Sequence, residues 1–349
     1  MVAAMSQPDS GVEFDPQRLE RYLRARLDAP GPGFALARVA GGQSNPTFFV
    51  TLGDRRLVLR KKPAGEILPS AHAVDREYRV MSALAATTVP VPDTVLFCDD
   101  AAVIGTPFYV MERLDGRVFH DAALPGVAPA ERRAMYFAMA ETLAALHDVD
   151  PESVGLTDFG RAGNYYERQI RRWVAQYESS RWRALPALDA VIAWLPAHLP
   201  PEEPARLCHG DFRIGNLMFH PSEPVVIGVL DWELSTLGQP LADVAFSALG
   251  WVTLPEEYGG LRGLDHASLG LPSREAYLAH YFASRRTQAA QSVQPFHTVF
   301  ALFRFAVIFE GIAARARAGS AAADNAAAVG ELAPLFAHRA HEAMLSAGE

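Results

Sequence analysis

Cys208-His209-Gly210-Asp211-Phe212-Arg213-Ile214-Gly215-Asn216-Leu217, followed by Val229-Leu230-Asp231-Trp232-Glu233, is the densest polar constellation in the 349-residue chain. Asp211 and Asn216 are five residues apart, and Asp231 follows Val225, Val226, Ile227 and Val229, a run that reads as a buried strand. One such Asp would be accounted for as a turn former or a strand end. Three oxygen-bearing side chains in this order have the parts of a hard-metal site, because magnesium takes few ligands from protein and the rest from water and phosphates. With Asn216 and Asp231 as the metal pair, Asp211 is left to accept a proton from an attacking hydroxyl.

The chain on either side places this stretch. The first dozen residues are small and polar and read as a disordered lead. Asp15-Pro16 opens a short helix carrying Leu19, Tyr22, Leu23 and Leu27, which Pro30-Gly31-Pro32-Gly33 ends. Residues 34–39 read as a strand, and 47–52 with 55–60 as a hairpin about Gly53-Asp54. Apolar residues at Val74, Tyr78, Met81 and Leu84 predict an amphipathic helix within 71–86, and two more strands are expected at 95–98 and 108–111. Helical patterns then dominate, at 130–147, 163–179, 185–195 and from 273 to the end with a break near Gly319; short strands at 217–219 and 225–230 flank His220-Pro221. A β-rich first third followed by a helical remainder predicts an α+β chain of two lobes, residues 13–113 and 114–349.

His-Gly-Asp-x-x-x-x-Asn followed by Asp-Trp-Glu resembles the catalytic loop and metal-binding segment of the aminoglycoside phosphotransferase family, small-molecule kinases with a protein-kinase-like fold. The resemblance implies a two-lobed fold, a small antiparallel-sheet N-lobe and a larger mainly helical C-lobe, with Mg·ATP as the phosphate source. It makes Asp211 the catalytic base and Asn216 and Asp231 the magnesium ligands. His209 becomes a buttress of the loop, and Asp243 an anchor reaching it from the following helix. Upstream, Glu77 borders the apolar face of its helix and needs a partner, since an unpaired buried charge is expensive. The family's phosphate-binding lysine, paired to a helix Glu, aligns best with Arg60, a departure in residue type. Lys61 and Lys62 are the only lysines in the chain, and strand alternation puts Arg60 and Lys62 on one face and Lys61 on the other, so Arg60 and Lys61 both remain candidates.

Gly42, Ser44 and Asn45 correspond to the family's nucleotide-covering loop. Residues 108–116 match its hinge, which implies adenine recognition by backbone groups of Glu112 and Leu114. Residues 57–69 followed by Asp75-Arg76-Glu77-Tyr78-Arg79-Val80 are similar to the kinase-like domains fused to some acyl-CoA dehydrogenases. So is the run from Phe303-Arg304-Phe305 to Gly311 and Arg315. That narrower likeness implies a hydroxyacyl-CoA or related hydroxy acid as the phosphate acceptor, with an aminoglycoside as the other family option. A second reading keeps the fold without turnover, as a catalytically silent nucleotide-binding or interaction protein. It draws on Arg60 and on Glu233 standing where protein kinases have Gly.

Composition excludes other classes. Half of the residues are hydrophobic and 21% charged, which rules out a mainly disordered chain. A formal net charge of -8 makes the chain a poor nucleic-acid binder overall, since phosphate contacts need a basic face. Cys98 and Cys208 are too few for a disulfide framework. No signal peptide is evident, and no run approaches the roughly 18 apolar residues of a membrane helix. The chain is expected to be soluble and cytoplasmic, with no membrane partner and no oligomeric state set by the sequence. No lysine follows a glycine, Gly31 and Gly33 start no dinucleotide fingerprint, and no Gly-x-Ser-x-Gly elbow occurs.

Overall fold

A computed structural model describes residues 12–39, 45–63, 73–161, 163–286, 292–319 and 325–347. They fall into two compact units, one within Met1–Ala85 and Val91–Asp115, the other within Ala86–Pro90 and Gly116–Glu349. The second unit starts at Gly116, against an expected 114. It also takes in residues 86–90, where the Pro90 carbonyl accepts the Val229 N–H at 2.8 Å.

The first unit runs α1 (Pro16–Arg24), β1 (Phe34–Arg38), β2 (Thr47–Leu52), β3 (Arg55–Lys61), α2 (Val74–Leu84), β4 (Thr94–Cys98), a short α3 (Ala101–Ile104) and β5 (Phe108–Glu112). Asp15 caps α1 by accepting the Gln17 N–H at 2.9 Å, with Pro16 in the first turn. The five strands form one antiparallel sheet in the order β1-β2-β3-β5-β4. At the β2–β3 turn Gly53 has φ +57, and a Cβ there would lie 2.0 Å from the Pro30 carbonyl oxygen, so the turn requires glycine. Alternation puts Phe48, Val50, Leu52, Leu57 and Leu59 into one core with Leu19 and Leu23 of α1. Each such side chain contributes roughly 1.5–3 kcal/mol by leaving water.

The second unit runs β6 (Arg117–Val118), α4 (Pro129–Asp148), α5 (Tyr165–Ser180), α6 (Pro186–Trp194), β7 (Arg206–Cys208), β8 (Leu217–Phe219), β9 (Val226–Val229), β10 (Thr236–Gly238), α7 (Pro240–Ser247), α8 (His266–Leu269), α9 (Arg274–Ser284), α10 (Pro295–Arg317), α11 (Ala326–Gly330) and α12 (Leu332–Leu345). Two small sheets, β6-β8-β9 and β7-β10, carry the loops that matter for chemistry. β6, β7 and β10 are two or three residues long, too short for a periodicity to show in the sequence. α10 is apolar almost all round and packs against α5, α6, α7, α11 and α12, as a core helix must. Among the described residues no helix is long and apolar enough to cross a membrane.

Candidate active site

The segment from His209 to Asn216 links β7 to β8, and Asp231 follows β9. The loop turns at Gly210, where φ is +85 and a Cβ would meet the Leu234 carbonyl oxygen at 2.6 Å. Asp243, in the first turn of α7, accepts the His209 N–H on Oδ2 (2.5 Å) and the Gly210 N–H on Oδ1 (2.7 Å). His209 is fully buried. Its Nδ1 accepts the Asp211 N–H (3.2 Å), which places the ring proton on Nε2, and Nε2 donates to the Leu230 carbonyl (2.9 Å). The buttress and anchor implied for His209 and Asp243 take the form of hydrogen bonds to the backbone N–H groups of His209, Gly210 and Asp211 and to the carbonyl of Leu230, the residue before Asp231.

Asn216 donates from Nδ2 to both the carbonyl (2.8 Å) and the carboxylate Oδ2 (2.7 Å) of Asp211. Both amide protons then point at Asp211, so the Asn216 Oδ1 is turned away from it. The Leu230 N–H donates to the Asn216 carbonyl (2.8 Å), continuing the β8–β9 pairing and setting Asp231 beside Asn216. Asp231 has φ +66, a left-handed conformation uncommon for a residue other than glycine. Asp211, Asn216 and Asp231 are therefore brought together. Arg213 joins them, its Nε 3.4 Å from the Asp211 carboxylate. Burial works against its charge, but Asp211, Tyr258 and Asp231 hold its pKa above the ordinary value.

Behind the loop lies a buried polar chain that the sequence reading did not find. Arg285 donates to Asp148 (2.8 Å) and to the Tyr281 hydroxyl (2.8 Å). The Tyr281 hydroxyl, accepting the Arg285 hydrogen bond, donates in turn to His147 Nδ1 (2.8 Å), so the His147 Nε2–H faces Asp243 Oδ2 at 3.4 Å. Burial pushes the His147 imidazole below its ordinary value and keeps it neutral. Burial alone would raise the Asp243 carboxyl; the His147 contact and the backbone N–H groups hold it below its usual range, as a carboxylate. Cys208 joins His147 and Asp243 in a cluster with ligand atoms within 4.8 Å of one another. Burial raises that thiol well above its ordinary value and the Asp243 oxygens are committed to the loop, so the cluster is structural.

In the first unit Glu77 is 1% exposed, and its partners include Asn45 Nδ2 on Oε1 (2.6 Å), with the Tyr109 hydroxyl (3.0 Å) and Arg60 Nε (3.2 Å) on Oε2. The choice between Arg60 and Lys61 is one of strand face. Lys61 points into the opposite side, with its Nζ 3.9 Å from Glu13 and 5.8 Å from the Phe14 ring centroid, and burial lowers its pKa. Asn45 is buried with its amide on Glu77 rather than presented at a loop surface. Gly42 and Ser44 lie outside the described residues. The Glu112 N–H is taken by the Asp93 carbonyl (2.8 Å) and its carboxylate by Arg55, while Leu114 follows the end of β5.

A family model described as "Phosphotransferase enzyme family" (APH) matches residues 35–300. The chain belongs to this phosphotransferase family. A solved structure from Ralstonia eutropha JMP134, provisionally assigned as an aminoglycoside phosphotransferase, shares 41% identity at a TM-score of 0.85, covering 95% of this chain and 99% of that one. Acyl-CoA dehydrogenase family member 10 of Mus musculus is 44% identical over 318 residues, 90% of this chain and 30% of its own length. The chain thus spans under half the length of the curated relatives it matches. A thermostable mutant of aminoglycoside phosphotransferase APH(4)-Ia, in ternary complex with ADP and hygromycin B, shares the fold at 16% identity and a TM-score of 0.59, covering 92% of this chain and 97% of that one. The phosphotransferase fold of this chain is protein-kinase-like α+β, with an antiparallel-sheet lobe and a mainly helical one.

Proposed function

We propose that this phosphotransferase moves the γ-phosphoryl group of ATP to a hydroxyl of a small molecule. The observation that carries the reading is the Asp211–Asn216 pair: one amide bonds both the backbone carbonyl and the partly exposed carboxylate of Asp211, which turns the amide oxygen away from them. The Asn216 Oδ1 and the Asp231 carboxylate are hard oxygen donors of the kind magnesium takes, and their segments are joined by the Leu230–Asn216 hydrogen bond, so the donor set fits the ion. When bound there, magnesium would neutralise phosphate charge. Asp211 orients the acceptor hydroxyl and takes its proton. Arg60, held by Glu77, contributes a fixed cation for the phosphates, a role in which guanidinium replaces ammonium with a bidentate donor.

The acceptor is read from a cavity whose wall includes Arg213. Tyr136, Met139, Phe246, Trp251, Tyr258 and Phe305 make it largely apolar. Among its described lining residues the one carboxylate is Glu257, engaged by Arg339 at 2.8 and 3.0 Å. A polycationic aminoglycoside would find no uncommitted acid there. An apolar acceptor with an anionic end, such as a hydroxyacyl-CoA or hydroxy acid, suits the aromatic walls and Arg213.

The test is thermal unfolding with and without Mg·ATP, for wild type, Asp211→Ala and Asp231→Ala, alongside transfer from labelled ATP to hydroxyacyl-CoAs and aminoglycosides. Nucleotide at about 100 times its dissociation constant stabilises by roughly 2.7 kcal/mol. Asp211→Ala should keep that shift and lose transfer, and Asp231→Ala should lose the shift. An equal magnesium-dependent shift in Asp231→Ala would remove the metal assignment, and no shift in wild type would favour the silent kinase-like reading.

A further inference from the structure

Arg304 lies in the middle of α10, 5% exposed, with its guanidinium carbon 5.3–6.0 Å from the rings of Trp173, Phe246 and Phe300. No ion pair of Arg304 is found among the described residues, and its buried Nε has no acceptor there. A buried cation held by aromatic faces alone would be costly, which makes its polar bond informative. Its Nη2 donates to the Gly210 carbonyl at 2.9 Å. That carbonyl and the Asp211 N–H belong to one peptide group. The N–H donates to His209 Nδ1 (3.2 Å), and His209 Nε2 donates to the carbonyl of Leu230, the residue before Asp231 (2.9 Å). Cation, peptide, imidazole and second carbonyl stand in series, each polarising the next in the same sense. From the other side, the Gly210 N–H is held by the Asp243 carboxylate at 2.7 Å.

We propose that Arg304 is a positioning residue for phosphoryl transfer: through the Gly210 carbonyl it fixes the peptide that carries Asp211, and through His209 it ties that peptide to the segment bearing Asp231. A cation on the carbonyl oxygen strengthens the N–H of the same peptide as a donor and so holds His209 with Nδ1 unprotonated. With a single ring proton, only the Nε2–H tautomer lets His209 donate to the Leu230 carbonyl and accept the Asp211 N–H; the Nδ1–H tautomer would leave both groups unsatisfied. Arg304 and Asp243 grip opposite sides of Gly210 from different helices, so the loop is set by two buried charges of opposite sign that are bonded to the same residue. The role in transfer rests on the proposed function, whereas the His209 tautomer does not.

The experiment is nitrogen-15 NMR of histidine-labelled full-length protein, with His209 identified by the signal missing in His209→Gln. Wild type at pH 7.5 should show His209 as the single Nε2–H tautomer. In Arg304→Met, which keeps much of the apolar stem, that signal should become a tautomer mixture. Transfer to whichever acceptor is identified should fall about tenfold to hundredfold, in kcat rather than KM, the scale of one charge-assisted hydrogen bond. Arg304→Lys, which keeps a cationic donor, should recover the tautomer and part of the rate. An unchanged tautomer and kcat in a folded Arg304→Met would overturn the proposal. If that variant does not fold, wild type still decides: His209 found with a proton on Nδ1 at pH 7.5 overturns it with no variant at all. A wild type with the Nε2–H tautomer that binds no Mg·ATP would instead sink the proposed function and leave the relay standing.

Discussion

Replacing Glu77 should reveal a strongly coupled ion pair in the first unit. Glu77 is 1% exposed and the Arg60 side chain 14%, and the same carboxylate also accepts from Asn45 and Tyr109. Removing one partner of a buried pair costs about 3–5 kcal/mol, because the other charge and the donors are left in low dielectric. The residual exposure of Arg60 argues for the lower end, about 3 kcal/mol for Glu77→Leu. Arg60→Met combined with Glu77→Leu should cost less than the two single changes together, with a coupling of about 2 kcal/mol, since the second substitution removes the charge that the first abandoned. Urea unfolding is the assay, followed by far-UV circular dichroism: all five tryptophans lie in the second unit, so their fluorescence does not report on the pair. With a slope of about 2 kcal/mol per molar urea, the single variant should shift the midpoint by about 1.5 M. Single costs that add to within about 0.5 kcal/mol, or a midpoint shift below about 0.3 M, would refute the reasoning.

Asp243→Asn should destabilise the second unit by about 3 kcal/mol, because an amide has one acceptor oxygen and must turn its NH2 toward the N–H of His209 or Gly210. At about 2–4 °C per kcal/mol for a unit of this size, the midpoint should drop by about 6–12 °C, and a change under about 1 °C in a thermal melt would reject the anchor. Burial lowers His297 to about 4, and its Nδ1 accepts the Gln294 N–H at 3.1 Å. Between pH 6.5 and 4 the unfolded chain therefore takes up a proton that the native ring refuses, so stability falls as the solution is acidified through that window. That loss, up to about 3 kcal/mol, should be smaller in His297→Gln; parallel curves of melting temperature against pH for the two proteins would reject it.

The elements that were legible in the sequence are those whose cause is local. Gly53-Asp54 between two β-rich runs, Asp15-Pro16 before Leu19, and the spacing of Val74, Met81 and Leu84 each dictate a turn or a helix within a few residues. The motif from His209 to Asn216 and the strand leading to Asp231 were readable for the same reason, and Glu77 announced by its place on an apolar face that it needed a cation. Less visible were the short strands at Arg117–Val118, Arg206–Cys208 and Thr236–Gly238, which exist only because a neighbouring strand pairs with them.

Local patterns along the chain settle the order of the elements and the chemistry available: a carboxylate, an amide and a second carboxylate at spacings that a loop and a strand end can bring together. The tertiary structure alone decided which of Arg60 and Lys61 meets Glu77, since that depends on which face of the sheet α2 covers. It also decided that Asn45 turns inward, that a neutral His147 backs Asp243, and that Arg304 reaches Gly210 across 94 residues. No local pattern encodes such contacts. A buried polar atom takes whatever partner the packing brings within about 3 Å, and packing is a property of the whole fold.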